Sequence, residues 1–154
     1  MAEGTLVAIY VAPLARAAMF QVPRARAVAG RGIEGDRYFE NSGTFSTPPE
    51  PDAQVTLVEE EAVAAVARET RRPLAPADTR RNLVTRGVAL NHLVGREFTV
   101  GSVRLRGHGL CEPCRHLESL VRGGLVTDLL HRGGLRAEIL VGGVLEPGQE
   151  IRPA

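Results

Sequence analysis

Lysine is missing altogether: all 19 basic residues of this chain are arginine. A Schiff-base mechanism needs a primary side-chain amine, so no residue here can hold pyridoxal phosphate as an internal aldimine. The P-loop lysine is absent with it, and no G-x-x-x-x-G-K-[ST] run occurs. Tryptophan is also absent and aromatics make up only 4% of the chain. That removes the stacking platforms on which single-stranded nucleic acid is held. Charge of one sign is lacking too. Nineteen arginines against 18 acids leave a formal charge of +1, too balanced for a general nucleic-acid binder, whose affinity rests on concentrated positive charge. The apolar stretch at residues 6–14 is too short to span a bilayer, so no membrane partner is expected. Met1-Ala2-Glu3-Gly4-Thr5 lacks the basic lead of a signal peptide, and the expected location is cytoplasmic.

Cysteine is scarce, and what there is sits together. The only two form Cys111-Glu112-Pro113-Cys114. At this spacing in a cytoplasmic protein, a cysteine pair points to chemistry or metal binding more than to a structural disulfide. The pair follows a predicted strand, Val103-Arg104-Leu105-Arg106, and a predicted turn, Gly107-His108-Gly109. A helical pattern over residues 115–120 comes next. Proline suits the first helical position because its missing N–H would have no partner there. With Pro113 in that place, Cys114 falls in the first turn, where free N–H groups and the helix dipole favour a thiolate. Such a thiolate can attack, carry sulfur or bind a soft metal, which makes Cys114, more than Cys111, the candidate functional residue. Cys111 would resolve a persulfide or disulfide, or simply pack. Two other uses stay open. Structural zinc takes four ligands; His108 and His116 lie nearby, though not at a standard spacing. A thioredoxin-like redox pair matches the strand–C-x-x-C–helix order but lacks βαβ surroundings.

Length and the absence of repeats predict a single domain over residues 1–154. Strands are expected at residues 5–11, 24–29, 54–58, 82–85, 135–141 and 150–152, with a hairpin joining 97–100 to 103–105. Residues 59–70 form the clearest helix: acids open it, apolar residues fill it and Arg68 stands near its end. A helical turn at 90–94 and a short helix at 125–131 are expected, and residues 40–53 form a polar loop that would be mobile or act as a lid. Many short strands with few helices argue against a doubly wound parallel sheet. The fold class is therefore mainly β (α+β), a closed or half-closed barrel with a few peripheral helices.

Arg80, Arg81 and Arg86 flank a predicted strand that carries Asn82. Arginine forks grip phosphate with two parallel hydrogen bonds; the plainer reading is a solvated strand end. Strand alternation puts Arg80 and Arg81 on opposite faces, so at most one of them points directly at a shared site. In Gly35-Asp36-Arg37, Arg37 would reach an anion and Asp36 would fix it, or the glycines simply make a turn. The run Glu59-Glu60-Glu61 reads as a helix start, not a metal cluster. His92 and His131 read as structural or surface residues.

Four segments then fall in order: Gly32-Ile33-Glu34-Gly35-Asp36-Arg37-Tyr38, Arg80-Arg81-Asn82-Leu83-Val84-Thr85-Arg86-Gly87, Leu110-Cys111-Glu112-Pro113-Cys114-Arg115-His116-Leu117-Glu118 and Arg132-Gly133-Gly134-Leu135-Arg136-Ala137. Together they resemble the MOSC domain, named for the C-terminal domain of molybdenum-cofactor sulfurase. The resemblance implies a mostly β, barrel-like fold and a cysteine used in sulfur transfer or in ligating molybdenum. Relatives include the mitochondrial amidoxime-reducing components and bacterial proteins that reduce N-hydroxylated bases. By resemblance, Cys114 matches their metal-binding cysteine, and Arg80 and Asn82 match the Arg-x-Asn that recognises the cofactor. The expectation is a protein that binds molybdenum cofactor (molybdopterin) or carries sulfur for it. Cys114 would be metal ligand or persulfide carrier, and Arg37, Arg80, Asn82, Arg81 and Arg86 would surround the cofactor. In the sulfurase, pyridoxal phosphate belongs to a separate desulfurase domain, so a cysteine desulfurase is the implied sulfur donor here. Reduction of a small-molecule substrate would draw on a flavin or iron–sulfur partner, because two cysteines cannot build a four-cysteine cluster site. The alternatives are a non-catalytic carrier and a small thiol–disulfide oxidoreductase.

Overall fold

Strand β1 (Gly4–Val11) is apolar along its length yet changes phase once. Leu6 and Ile9 both enter the main core, while Ala8 joins a second cluster under the helices. The cause is a bulge against β6 (Leu83–Arg86) between Leu6 and Ala8. An unbroken period of two would have turned Ile9 to the opposite face from Leu6.

The computed structural model describes residues 4–14, 16–39, 54–113, 115–121 and 123–154, with only the backbone at 115 and 116. β1 pairs with β6, which pairs with β5 (Val55–Glu59), and β5 pairs with β9 (Leu135–Val141). The sheet continues through β8 (Val103–Leu110), β7 (Glu97–Val100) and β11 (Glu150–Pro153), and β11 returns to β1. These seven strands close a barrel. β2 (Phe20–Val22) adds to β1, and β10 (Gly143–Leu145), β3 (Ala25–Val28) and β4 (Gly32–Ile33) form a separate three-stranded sheet. Every barrel pair is antiparallel except β5–β6. That parallel step needs a crossover, here α1 (Glu60–Thr70) and a 3-10 turn at Pro76–Thr79. Another 3-10 turn spans Leu90–Leu93, and two short helices follow the cysteine segment, α2 (Arg115–Leu120) and α3 (Leu125–Asp128). None of the helices is long and apolar enough to cross a membrane, among the described residues.

The apolar residues divide by strand alternation. Leu57 and Leu83 face the barrel interior with Phe98 and Leu105; Val58 and Val84 face outward and meet Val63 and Val66 of α1 and Leu125 and Leu129. Each fully buried aliphatic side chain contributes about 1.5–3 kcal/mol, so the second cluster is what holds the helices to the wall. The three acids before and within α1 brace its start. Glu60 pairs with Arg86, Glu61 Oε2 accepts from the Gly87 N–H at 2.7 Å, and Glu59 Oε2 accepts from the Leu90 N–H at 3.1 Å.

Several boundaries differ from expectation. The predicted turn Gly107-His108-Gly109 is strand: β8 runs through it to Leu110. Its glycines serve a register shift against β9 and a close approach, since a Cβ on Gly107 would fall on the Leu93 carbonyl. The helix expected to reach residue 131 stops at Asp128, and β2, β4 and β10 carried no readable pattern. The expected lid, residues 40–53, lies outside the described residues.

Candidate functional site

The chain enters β6 through two adjacent arginines that turn opposite ways. Arg80 closes the preceding 3-10 turn in the left-handed region (φ 59°, ψ 28°), and this sends its side chain toward the loop after β1. Arg80 Nη1 donates to the Ala17 carbonyl at 2.6 Å, and the Arg80 carbonyl accepts from Arg37 Nη2 at 3.2 Å. Arg81 is buried. Its Nε donates to the Gly133 carbonyl at 2.7 Å and its Nη2 to the Cys111 carbonyl at 2.8 Å.

On the Arg80 side lies Asp36, fully buried, with Arg37 almost so. Asp36 Oδ1 accepts from the Ala12 N–H (3.0 Å) and from Arg37 Nη1 (3.1 Å), and Oδ2 accepts from the Tyr38 N–H (3.3 Å). The Arg37 guanidinium stands 4.5 Å from the centre of the Tyr38 ring, a cation–π contact. Arg80 is held below its ordinary range first by burial and then by the positive charge of Arg37, although it stays charged at neutral pH. Among the described residues no carboxylate pairs with Arg80. Two guanidiniums thus stand side by side, Arg37 bonded to the Asp36 carboxylate and Arg80 to a backbone carbonyl, a set of donors that suits an anion.

Asn82 lies next to these arginines in the chain, and its amide is committed to the barrel. Asn82 Oδ1 accepts from the Thr56 N–H (3.1 Å) and hydroxyl (3.2 Å), while Nδ2 donates to the Tyr10 carbonyl (3.2 Å). It fastens β1, β5 and the entry to β6. Arg86, at the far end of β6, is exposed and forks onto Glu60 at 2.7 and 3.3 Å, away from Arg37 and Arg80.

On the Arg81 side lies the cysteine segment. Cys111 is buried, its N–H donates to the Gly134 carbonyl at 2.7 Å, and Arg81 holds its carbonyl. Gly133 and Gly134 allow this packing: a Cβ on Gly133 would crowd the Cys111 carbonyl and the Pro113 ring, and one on Gly134 would fall on the Leu57 carbonyl. The glycine pair is thus a close approach, not an ordinary turn. Cys114, the central residue of the sequence expectation, lies outside the described residues; α2 begins at the residue after it.

One contact in this segment escaped sequence reasoning. Glu112 Oε1 accepts from the His131 N–H at 2.7 Å, and Oε2 meets His131 Nδ1 at 2.7 Å. His131 has a positive φ of 62°. The only sequence signal was its place just before the Arg132-Gly133-Gly134 motif. His108, raised above as a zinc ligand, is bonded to Glu138 across β8 and β9 at 2.8 Å. Among the described residues no three metal-ligating side chains converge.

The model of the MOSC domain matches residues 40–152. The YuaD protein from Bacillus subtilis has the same fold, with a TM-score of 0.79 at 19% identity over 97% of this chain and 94% of that one. YiiM from Geobacillus stearothermophilus gives 0.72 at 15% identity, covering 98% and 75% of the two chains. YiiM from Escherichia coli gives 0.70 at 18%, covering 97% and 69%. No curated protein matches the sequence. With barrel, motif order and family model in agreement, the chain belongs to the MOSC domain family, whose members are associated with the molybdenum cofactor.

Proposed function

We propose that this protein holds molybdenum cofactor, or sulfur destined for it, with Cys114 as metal ligand or persulfide carrier and with Arg37 and Arg80 seating the phosphate of the pterin. The observation that supports this reading is the placing of two guanidiniums side by side, the buried Arg37 and the half-buried Arg80, on one flank of the entry to β6. A phosphate bound there would meet both guanidiniums, and its geometry matches an arginine fork. Thiolate sulfur suits a soft metal, and an ionised thiol is also what accepts or hands on sulfur.

Arg81 and Asn82 serve this site by fixing backbone. Arg81 ties the cysteine segment to the entry of β6, and Asn82 ties that entry to β1 and β5. Arg86 braces α1. When bound, the cofactor supplies two-electron redox chemistry suited to removing oxygen from an N-hydroxylated small molecule. Electrons would come from a separate flavin or iron–sulfur protein, and sulfur from a separate cysteine desulfurase, since this chain has no lysine to hold pyridoxal phosphate. As a pure carrier, the same seat would pass its load on unchanged.

The test is molybdenum and pterin content after co-expression with cofactor synthesis. The wild-type chain should retain both, Cys114→Ser should lose the metal, and Cys111→Ser should weaken retention less. Equal molybdenum in wild type and Cys114→Ser rejects the assignment. Turnover of an N-hydroxylated base with an electron donor then separates reductase from carrier.

A further inference from the structure

We propose that Met19 is a redox-sensitive stopper over the anion seat: its thioether yields Arg37 to a phosphate, and its sulfoxide does not. This rests on the reading of Arg37 and Arg80 as a phosphate seat and adds a modification site that controls it.

One short stretch of chain after β1 touches both guanidiniums. Arg80 Nη1 donates to the Ala17 carbonyl at 2.6 Å, and two residues further on Met19 Sδ accepts from Arg37 Nη1 at 3.5 Å. The stretch is fixed at each end. At Ala12 the backbone N–H donates to Asp36 Oδ1 at 3.0 Å, and the carbonyl accepts the Arg37 N–H at 2.7 Å. At Phe20 strand β2 begins, paired with Val11 of β1. Between these ends the Ala17 N–H donates to the Leu14 carbonyl at 3.1 Å, and Arg16 takes a left-handed φ of 67°. The backbone itself therefore delivers Met19 to the seat.

The acceptors around Arg37 are unequal. Asp36, fully buried, offers a carboxylate at 3.1 Å, and Arg80 offers a backbone carbonyl at 3.2 Å; both are fixed. Tyr38 keeps its ring 4.5 Å from the guanidinium as well as its hydroxyl at 3.5 Å. The thioether of Met19 is neutral, a weak acceptor, and is carried on three rotatable bonds. It is the partner that an arriving phosphate displaces, because a charged acceptor replaces a weak one. Oxidation removes that difference. A sulfoxide is polar where the thioether was not, and a small rotation about the last bonds of Met19 sets its oxygen at ordinary hydrogen-bond distance from Nη1. The stopper then stays in place.

Met19 is partly exposed, so a peroxide in solution reaches its sulfur. The sulfur attacks hydrogen peroxide: the O–O bond breaks, an S–O bond forms, the sulfur gives up two electrons and the second oxygen leaves as water. A methionine sulfoxide reductase reverses the change with a dithiol, returning thioether, disulfide and water.

The test uses the metal-free protein and inorganic phosphate, with affinity read by calorimetry before and after dilute hydrogen peroxide. Peptide masses should show an added oxygen on Met19. Phosphate affinity should then fall roughly tenfold, the effect of one charge-assisted bond, at an unchanged melting temperature. Sulfoxide reductase with a dithiol should restore it. Met19→Leu keeps the apolar bulk without the sulfur, so peroxide should leave its phosphate affinity where it was. That variant also separates Met19 from any oxidation at the two cysteines, which both proteins share. Unchanged affinity in the Met19-oxidised wild type overturns the proposal and leaves the seat intact. So does an equal fall in Met19→Leu, a Met19 that resists peroxide in the folded protein, or a fall matched by a lower melting temperature, which would mean lost structure. An untreated wild type that binds no phosphate removes the seat first and this proposal with it.

Discussion

Arg80 and Arg81 are neighbours in sequence and opposites in surroundings. Arg81 is buried against two backbone carbonyls, those of Cys111 and Gly133, and its charge is absorbed by oxygen dipoles. Arg80 donates from its side chain to one carbonyl and stands beside a second guanidinium, with burial and that like charge both working against it. Burial alone does not distinguish a structural arginine from a binding one; the acceptors do. Where carbonyls fill the fork, the residue locks two segments together. Where a guanidinium has one carbonyl and a like charge beside it, as at Arg80, an added anion would be favoured. The two arginines stand side by side in this chain, and the left-handed backbone at Arg80 gives each its own surroundings.

The comparison breaks most visibly if Arg81 is removed. Arg81→Met leaves two buried carbonyls without donors and frees the cysteine segment from β6. With about 1.5–3 kcal/mol for each charge-assisted bond, the loss should be roughly 4 kcal/mol. Thermal unfolding should move down by about 8–16 °C for a chain of this size. Asn82→Ala comes next. Its amide makes two buried bonds to Thr56 and a partly buried one to Tyr10, and about 3 kcal/mol is expected. Both variants should lose cofactor only as far as they lose structure. Arg80→Met should do the reverse. Its melting temperature should stay within a few degrees of wild type, because a crowded charge is removed, while phosphate or pterin binding read by calorimetry should fall at least tenfold. Equal stability losses at Arg80 and Arg81 would erase the distinction. Arg86→Ala, which breaks only an exposed fork to Glu60, should scarcely change either measurement.

How much of this was legible depends on whether its cause was local. Helix α1 was readable because its acids, its apolar spacing and Arg68 all lie within the helix or beside it. The opposite facing of Arg80 and Arg81 was expected from strand alternation, yet both precede β6, and the left-handed turn at Arg80 is what separates them. The task of Asn82 was not readable, because its partners Thr56 and Tyr10 lie 26 and 72 residues away. The glycines at 107 and 109 were misread as a turn for the same reason: what demands Gly107 is the Leu93 carbonyl across the barrel wall. The phase change in β1 depends on its pairing with β6, and no apolar pattern in residues 4–11 announces it. His131 looked like one more surface histidine until Glu112, 19 residues before it, closed on its backbone N–H and its Nδ1.

Glu59 offers the finest test, because it is half-buried and no arginine pairs with it among the described residues. Burial is the largest influence on its carboxyl and pushes it above the usual carboxylate range; the Leu90 N–H works against that, Glu61 adds to it and His92 opposes it. Relative to the unfolded chain, the fold therefore favours the protonated form of Glu59. A raised folded value means that the group's contribution to stability is complete below the unfolded value, near 4.5, and is lost as pH climbs through the raised one. Glu59→Gln keeps an oxygen for the Leu90 N–H but cannot ionise. The melting temperature of the variant relative to wild type should rise with pH across that window and level off above it. The change should be the smallest of the series, since the Leu90 bond offsets much of the burial. A difference that stays flat with pH would mean the backbone donor compensates the buried charge in full, and a single N–H would then do for Glu59 what two carbonyls do for Arg81.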